Sequence, residues 1–518
     1  MMASDRSPEH KKVCVVGAGM SGLAAARELR REGHAVTVME QCGDVGGQWL
    51  YDPRTDTDDP LGAAAPVKVH SSVYASVRLM SPRECMGFSD FQFVPRSGAA
   101  DAAAGRDARR YPDHREVFCY LKDFFAAFGL ADAVRLNTRV LRVAMAPQSG
   151  GGAGDVKWLV RSVRVEPDGG EEASAAAVDE VFDAVVVASG NYSQPRLPSV
   201  KGMETWRGRQ LHSHSYRTPE PFRGEVVVVV GCGESGLDIA TELCGVAKEV
   251  QLVAKSTEDA AAPPPALSKM LAKHDGIRLR PPVDKLTEDG TVAFVDGSGV
   301  AADTVIYCTG YRYSFPFLDT AGAVAVDAGG GRVGPLYEHT FPPALTTSLS
   351  FVGVPMRIFA PWFFEAQARW VALVLAGKAA LPPEAEMMRA VEEDYRAREL
   401  AGVPAHLAHA IPAVDRMEVF EFVYRHTDLP RMESWKWELF VAGIMNSKDD
   451  RETFRDIDDD SESVREGLQM WRRVAGAQYE AALAAAVSSS SGDRVHAVTD
   501  ADAAEMLEPP SCQVSKLN

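Results

Sequence analysis

Two glycine fingerprints carry the chemistry this chain can do. The first is Gly17-Ala18-Gly19-Met20-Ser21-Gly22, directly after Val13-Cys14-Val15-Val16. The second is Gly231-Cys232-Gly233-Glu234-Ser235-Gly236, directly after five valines at 226–230. In each, an apolar strand enters a glycine turn that opens a helix. The glycines let the backbone approach a pyrophosphate, and the helix N-terminus aims unpaired N–H groups at it. Two such units imply two dinucleotides. The plain alternative is two βαβ units whose glycines serve packing alone. The residues that follow separate the two. After the first unit, Ala35-Val36-Thr37-Val38-Met39 ends in Glu40. A carboxylate there accepts from ribose hydroxyls and repels a 2′-phosphate. After the second, Val250–Ala254 ends in Lys255 with Ser256 beside it, a cation and a hydroxyl that suit a 2′-phosphate. The first unit is expected to take FAD or NAD, the second NADPH.

The elements that position these residues follow from pattern. The first βαβ unit spans 12–50, its helix running from Ser21 to about Glu32 with Gly33 closing it. An amphipathic helix is predicted from His114 to about Phe128, and alternating strands over 134–187. Phe182–Gly190 reads as a buried strand with a small-residue turn, returning the chain beneath the first dinucleotide. Thr304–Tyr311 does the same for the second. Helices are expected at 362–377, 384–401 and 462–485. The resulting fold class is α/β: two Rossmann-like dinucleotide-binding domains, with a C-terminal helical region. The division is a polar arm at 1–11, an FAD-binding domain at 12–199 and 321–485, an inserted NADPH-binding domain at 200–320, and a disordered tail at 486–518.

Composition bounds the function. With 518 residues and 46% hydrophobic content, the chain is long enough for more than one core. A formal charge of −17 argues against non-specific nucleic-acid binding and against an anionic membrane surface. No run reaches the ~18 apolar residues of a membrane span, and Met1–Lys12 has no apolar signal core. None of the eight cysteines forms a CxxC pair. Reduced thiols and a cytoplasmic location are expected, with neither disulfides nor a zinc site. His70, His114, His212, His214 and His274 make no metal pair at helical spacing. The acids Asp456, Asp458, Asp459 and Asp460 read as a solvated turn.

Further motifs carry a family resemblance. Trp206-x-Gly208-x-x-x-His212-x-x-x-Tyr216 resembles the FxGxxxHxxx(Y/F) sequence of the flavin-containing monooxygenases, with Trp for the first Phe. Gly46-Gly47-Gln48-Trp49, Phe88-Ser89-Asp90-Phe91, Thr309-Gly310-Tyr311 and Glu365-Ala366-Gln367-Ala368-Arg369-Trp370 resemble that family's GGxW, FSDF, TGY and EAQA(R/K)W segments. His70–Tyr74 and Pro82–Gly87 look most like the plant glucosinolate S-oxygenase-like branch. The resemblance covers roughly 11–475. It implies FAD at the first fingerprint with Gln48 and Trp49 near the flavin, and NADPH at the second with Thr309 and Gly310 on its return strand. It implies reduction of the flavin by NADPH and O2 addition at C4a. The hydroperoxide then oxygenates a soft sulfur or nitrogen nucleophile of a small molecule. His212, Ser213, Tyr216 and Arg217 would lie on the interdomain linker and hold NADP+ as a lid, or His212 would be a satisfied structural histidine.

One position departs from the pattern. Family members usually carry an Asn near the flavin edge two residues before the PRECMG-like segment. Here Met80 stands there, followed by Ser81. Methionine donates no N–H bond, so either Ser81 or a backbone N–H substitutes, Met80 shapes a different pocket, or the enzyme is an NADPH oxidase that releases H2O2. A disulfide reductase is disfavoured because Cys42 is isolated. Baeyer–Villiger and auxin-type enzymes fit the motifs less well, and a non-catalytic flavin-binding partner protein is the remaining alternative. No membrane anchor is expected. The substrate and the oligomeric state, including a homodimer, stay open.

Overall fold

β-Branched runs buried on both faces become the central strands of parallel sheets. The computed structural model describes residues 10–96, 105–147, 156–166, 176–411 and 416–490. β1 (Lys12–Val16), β2 (Ala35–Met39) and β3 (Val134–Arg135) lead into a second group: β4 (Thr138–Met145), β5 (Trp158–Arg164), β6 (Val178–Phe182) and β7 (Ala184–Val187). The first main sheet has the order β19-β7-β1-β2-β3, where β19 is Leu349–Phe351, and its pairs are parallel throughout. β4, β5 and β6 form an antiparallel layer with a short strand at Leu318–Asp319 alongside.

The second main sheet is built the same way. β8 (Arg209–His212), β9 (Val226–Val230), β10 (Glu249–Val253), β11 (Ile277–Arg280) and β15 (Thr304–Tyr307) take the order β11-β10-β9-β15-β8, again parallel. The valine run at its centre is buried at Val227, Val228 and Val229. The connection from β11 back to β15 is a three-stranded antiparallel meander of β12 (Val283–Leu286), β13 (Thr291–Phe294) and β14 (Gly299–Ala301), and β16 (Leu318–Asp319), β17 (Ala325–Val326) and β18 (Val333–Gly334) lie between β15 and β19.

Ten helices complete the described chain: α1 (Met20–Arg31), α2 (His114–Ala127), α3 (Glu234–Leu243), α4 (Thr257–Ala261), α5 (Pro265–Lys273), α6 (Ala360–Leu375), α7 (Glu384–Leu400), α8 (Arg416–His426), α9 (Ser434–Asp449) and α10 (Glu462–Ser490). α1 and α2 sit within a residue of expectation. α8 and α9 were not anticipated, and α10 runs to Ser490, past the expected boundary at 485. The polar arm to residue 9 and the tail from 491 lie outside the described residues. Asp460, expected in a solvated turn, instead pairs both carboxylate oxygens with Arg110 at 2.9 and 2.5 Å.

The FSDF and EAQARW segments meet in the core. Glu365 accepts from the Ser89 backbone N–H at 2.7 Å and from Arg27, and Arg27 also holds Glu28 and Asp90. Arg27 is 2% exposed and Glu365 fully buried. Such a network is costly unless every charge is partnered.

Candidate functional site

Both glycine turns are forced by sterics as well as by any ligand. A Cβ on Gly22 would lie 1.9 Å from the Gly17 carbonyl oxygen, and one on Gly236 would lie 1.9 Å from that of Gly231. Gly17 and Gly231, at φ +102° and +115°, press against the carbonyls of Ala188 and Cys308 on the returning strands. The middle glycines differ. A Cβ on Gly19 would make only ordinary contact with Gly47, and one on Gly233 would meet open space. Packing alone therefore does not require glycine at 19 and 233, whereas close approach of a phosphate does. Gly19 and Gly233 are also the N-caps of α1 and α3, with no side-chain cap. The first N–H groups of both helices thus remain available to an anion. By contrast, Asp113 caps α2 and Ser256 caps α4.

A cavity of about 490 Å³ opens at the carboxyl ends of the first sheet's strands. Gly17, Gly19, Met20, Ser21, Glu40, Gln48, Trp49 and Ser81 line it. Glu40 is 5% exposed; its oxygens accept the Ala18 and Cys42 backbone N–H groups at 2.7 and 2.8 Å. The carboxylate is thus oriented and keeps capacity to accept. The uncapped helix, the middle glycine and the oriented carboxylate fit a flavin dinucleotide.

The cavity also holds residues the sequence reading missed: His70, Asn191, Tyr192 and Arg357. Asn191 and Tyr192 follow the turn after β7, and Arg357 follows β19. The general tendency of ligands to sit beyond the carboxyl ends of parallel strands could have found them. Burial pushes the His70 imidazole pKa down. Arg357 has φ +61°, a left-handed conformation uncommon for a non-glycine residue.

The other expected site residues have protein partners of their own. Met80 does not line the cavity; its sulfur accepts from Arg455 Nη2 at 3.1 Å, while Arg455 Nε donates to the Leu79 carbonyl. His212 is fully buried and outside this cavity. Its Nδ1 accepts the His214 backbone N–H at 3.1 Å, and burial pushes its pKa down to about 3. The same cause takes His214 to about 4. Ser213 is buried beside Cys308 and Tyr311. The Tyr216 hydroxyl donates to Glu242 at 2.8 Å.

Arg217, expected to hold a lid, is a clamp. Its guanidinium donates to the carbonyls of Asp52, Arg54, Ser71, His214 and Tyr216. It thereby stitches the 52–71 segment to the linker. Thr309 donates to the Arg196 carbonyl at 2.6 Å, and the Gly310 carbonyl accepts from Arg196 N–H at 2.9 Å. The Trp206 ring lies where a Cβ on Gly208 would fall, 2.3 Å from the nearest ring carbon. The identifying segment is therefore closely packed.

On the second unit, Cys232 points its thiol toward the Val253 carbonyl, and burial pushes its pKa up to about 11. Ser235 is half-buried behind the exposed Gly233 and Glu234, and Lys255 is exposed just beyond β10.

The fold and the two cradles define an oxidoreductase built for two dinucleotides, and comparison with known proteins supplies the family. A family model described as "Flavin-binding monooxygenase-like" matches residues 10–259 and 269–423. The chain is 50% identical over 470 residues to "Flavin-containing monooxygenase FMO GS-OX-like 9" of Arabidopsis thaliana, covering 89% of this chain and 95% of that one. It is 41% identical over 475 residues to FMO GS-OX4 of the same plant, covering 91% and 97%. The solved structure of S-allyl-L-cysteine S-oxygenase from Allium sativum superposes with TM-score 0.77 at 38% identity, covering 90% of this chain and all of that one. The chain belongs to the flavin-binding monooxygenase-like family and is an enzyme of that type.

Proposed function

We propose that the protein is an FAD- and NADPH-dependent monooxygenase that transfers one oxygen atom from O2 to a soft sulfur or nitrogen atom of a small molecule. The observation that carries this is the cavity uniting the first fingerprint, Glu40, Gln48, Trp49 and Ser81 at the strand ends. Residues 12–199 and 321–485 act as the FAD-binding domain, and 200–320 as the NADPH-binding domain. The bound cofactors supply the hydride and the electrons that activate O2.

The chain's own residues do the rest. The α1 N-terminus and the backbone at Gly17–Gly22 hold the FAD pyrophosphate, and Glu40 accepts from the ribose. Gly231–Gly236 hold the NADPH pyrophosphate, and Lys255 and Ser256 meet the 2′-phosphate. Trp49 and Tyr192, both in the cavity lining, would help to exclude water from a bound flavin. Ser81 and Asn191 present polar hydrogens in the same wall. The buried, neutral His212 and His214 hold the linker's shape and move no proton. The substrate is a small thioether or amine, and the likeness to the garlic S-oxygenase favours sulfur. No helix among the described residues is long and apolar enough to cross a membrane. The seven described cysteines are free thiols, as in a reducing cytoplasm.

A second reading, an NADPH oxidase that releases H2O2, draws on one observation: Met80 turns to Arg455 and gives the cavity wall no amide. The two are separated by supplying a thioether to the flavin-loaded protein with NADPH. Sulfoxide formed in step with NADPH consumption supports oxygenation. H2O2 equal to the NADPH consumed, whether or not thioether is present, supports the oxidase.

A further inference from the structure

The two phosphate cradles differ in one charge. The first turn of α1 contains no acidic residue, whereas α3 begins with Glu234. Glu234 is one of the three non-glycine residues of the second fingerprint, directly after the uncapped Gly233. A carboxylate at a helix N-terminus interacts well with the helix itself, yet its charge would repel a pyrophosphate approaching the same turn. Asp238 lies one turn further along the same face.

A cation from a distant part of the chain meets both acids. Arg451, just after α9, pairs one Nη with Glu234 and the other with Asp238, the latter at 3.2 Å. The Tyr74 hydroxyl donates to the second Asp238 oxygen at 3.0 Å. The Arg451 side chain is 7% exposed, whereas that of Glu234 is 69% exposed. The guanidinium is thus buried among protein groups, and the carboxylate lies at the surface. Neighbouring pairs seat the segment: Lys269–Asp449 at 2.8 Å, Lys273–Asp450 at 3.0 Å and His274–Glu452 at 2.6 Å.

We propose that Arg451 is a positioning residue for NADPH: it holds and neutralises Glu234, so that the pyrophosphate meets the bare N-terminus of α3. This rests on reading the second fingerprint as the NADPH site. A mere interdomain latch would need Arg451 but would be indifferent to the charge on Glu234 once Arg451 is gone.

The test is the dissociation constant of NADP+ on the FAD-loaded protein, measured by calorimetry at low and high ionic strength. Arg451→Gln is expected to weaken binding about tenfold at low salt, less at high salt. Adding Glu234→Gln to that variant is expected to restore affinity to within about twofold of wild type, because the repelling charge is gone. A double variant as weak as Arg451→Gln would overturn the proposal and leave a structural latch. Glu234→Gln alone, at an exposed position, is expected to tighten binding about threefold at low salt, since Arg451 then faces the phosphates with one fewer acid. This arm stands even if Arg451→Gln fails to fold. Unchanged or weaker binding would overturn the proposal. Wild-type protein that binds no NADP+ would overturn the reading of the second fingerprint, and the proposal with it.

Discussion

Met80 and Ser81 are neighbours with opposite fates, one drawn to Arg455 and the other in the cavity wall. Ser81→Ala is therefore expected to raise the share of NADPH electrons released as H2O2 several-fold. Loss of one oriented donor near developing charge costs ~2.7–4 kcal/mol in oxyanion-hole sites. Met80→Asn should change that share by less than about twofold, because position 80 faces away. Peroxide release per NADPH checks both. His212 and His214 make a second prediction. Their folded pKa values of about 3 and about 4 lie below the ordinary 6.5. Below pH ~6.5 the unfolded chain binds protons that the folded chain refuses, so stability is full above that pH and falls as pH drops toward these values. Melting temperature should decline from about pH 6.5 to pH 4. His212→Gln should flatten that decline.

The glycine turns show how an element constrains its residues. Gly236→Ala would place a methyl on the Gly231 carbonyl. We expect it to abolish NADP+ binding while FAD remains bound, read by calorimetry beside the flavin absorbance. The parallel strands and the helices after each fingerprint were legible because β-branched runs and glycine turns announce them locally. α9 was not. Trp435, Leu439 and Phe440 are buried, but Val441 and Met445 on other faces are exposed, so no clean apolar stripe exists. α8 hides in the same way, with Phe420, Phe422 and Val423 all buried on adjoining faces. The FSDF and EAQARW segments were visible as strings. Their meeting through Ser89, Arg27 and Glu365 was not, since it joins residues far apart in sequence. Arg217 was expected on the linker, but nothing local signals that carbonyls of the 52–71 segment would consume its donors.

Across the molecule, two arginines tie the parts together: Arg217 through backbone carbonyls, and Arg451 through acids of α3. Arg217→Gln leaves several carbonyls short of a donor and should lower stability by about 3 kcal/mol. Its melting temperature should fall, and its KM for NADPH should rise, because the bonds joining the 52–71 segment to residues 214–217 are lost. All of this serves one central claim, that electrons from NADPH and an oxygen atom from O2 converge in the cavity beside Trp49. The most direct measurement is turnover of the flavin-loaded protein with NADPH, ¹⁸O2 and methyl phenyl sulfide, followed by mass spectrometry of the sulfoxide. The account predicts one ¹⁸O atom per sulfoxide, sulfoxide in step with NADPH consumed, and slower turnover with NADH. NADPH consumption matched by H2O2, with no labelled sulfoxide from this or any other thioether or amine supplied, would contradict it.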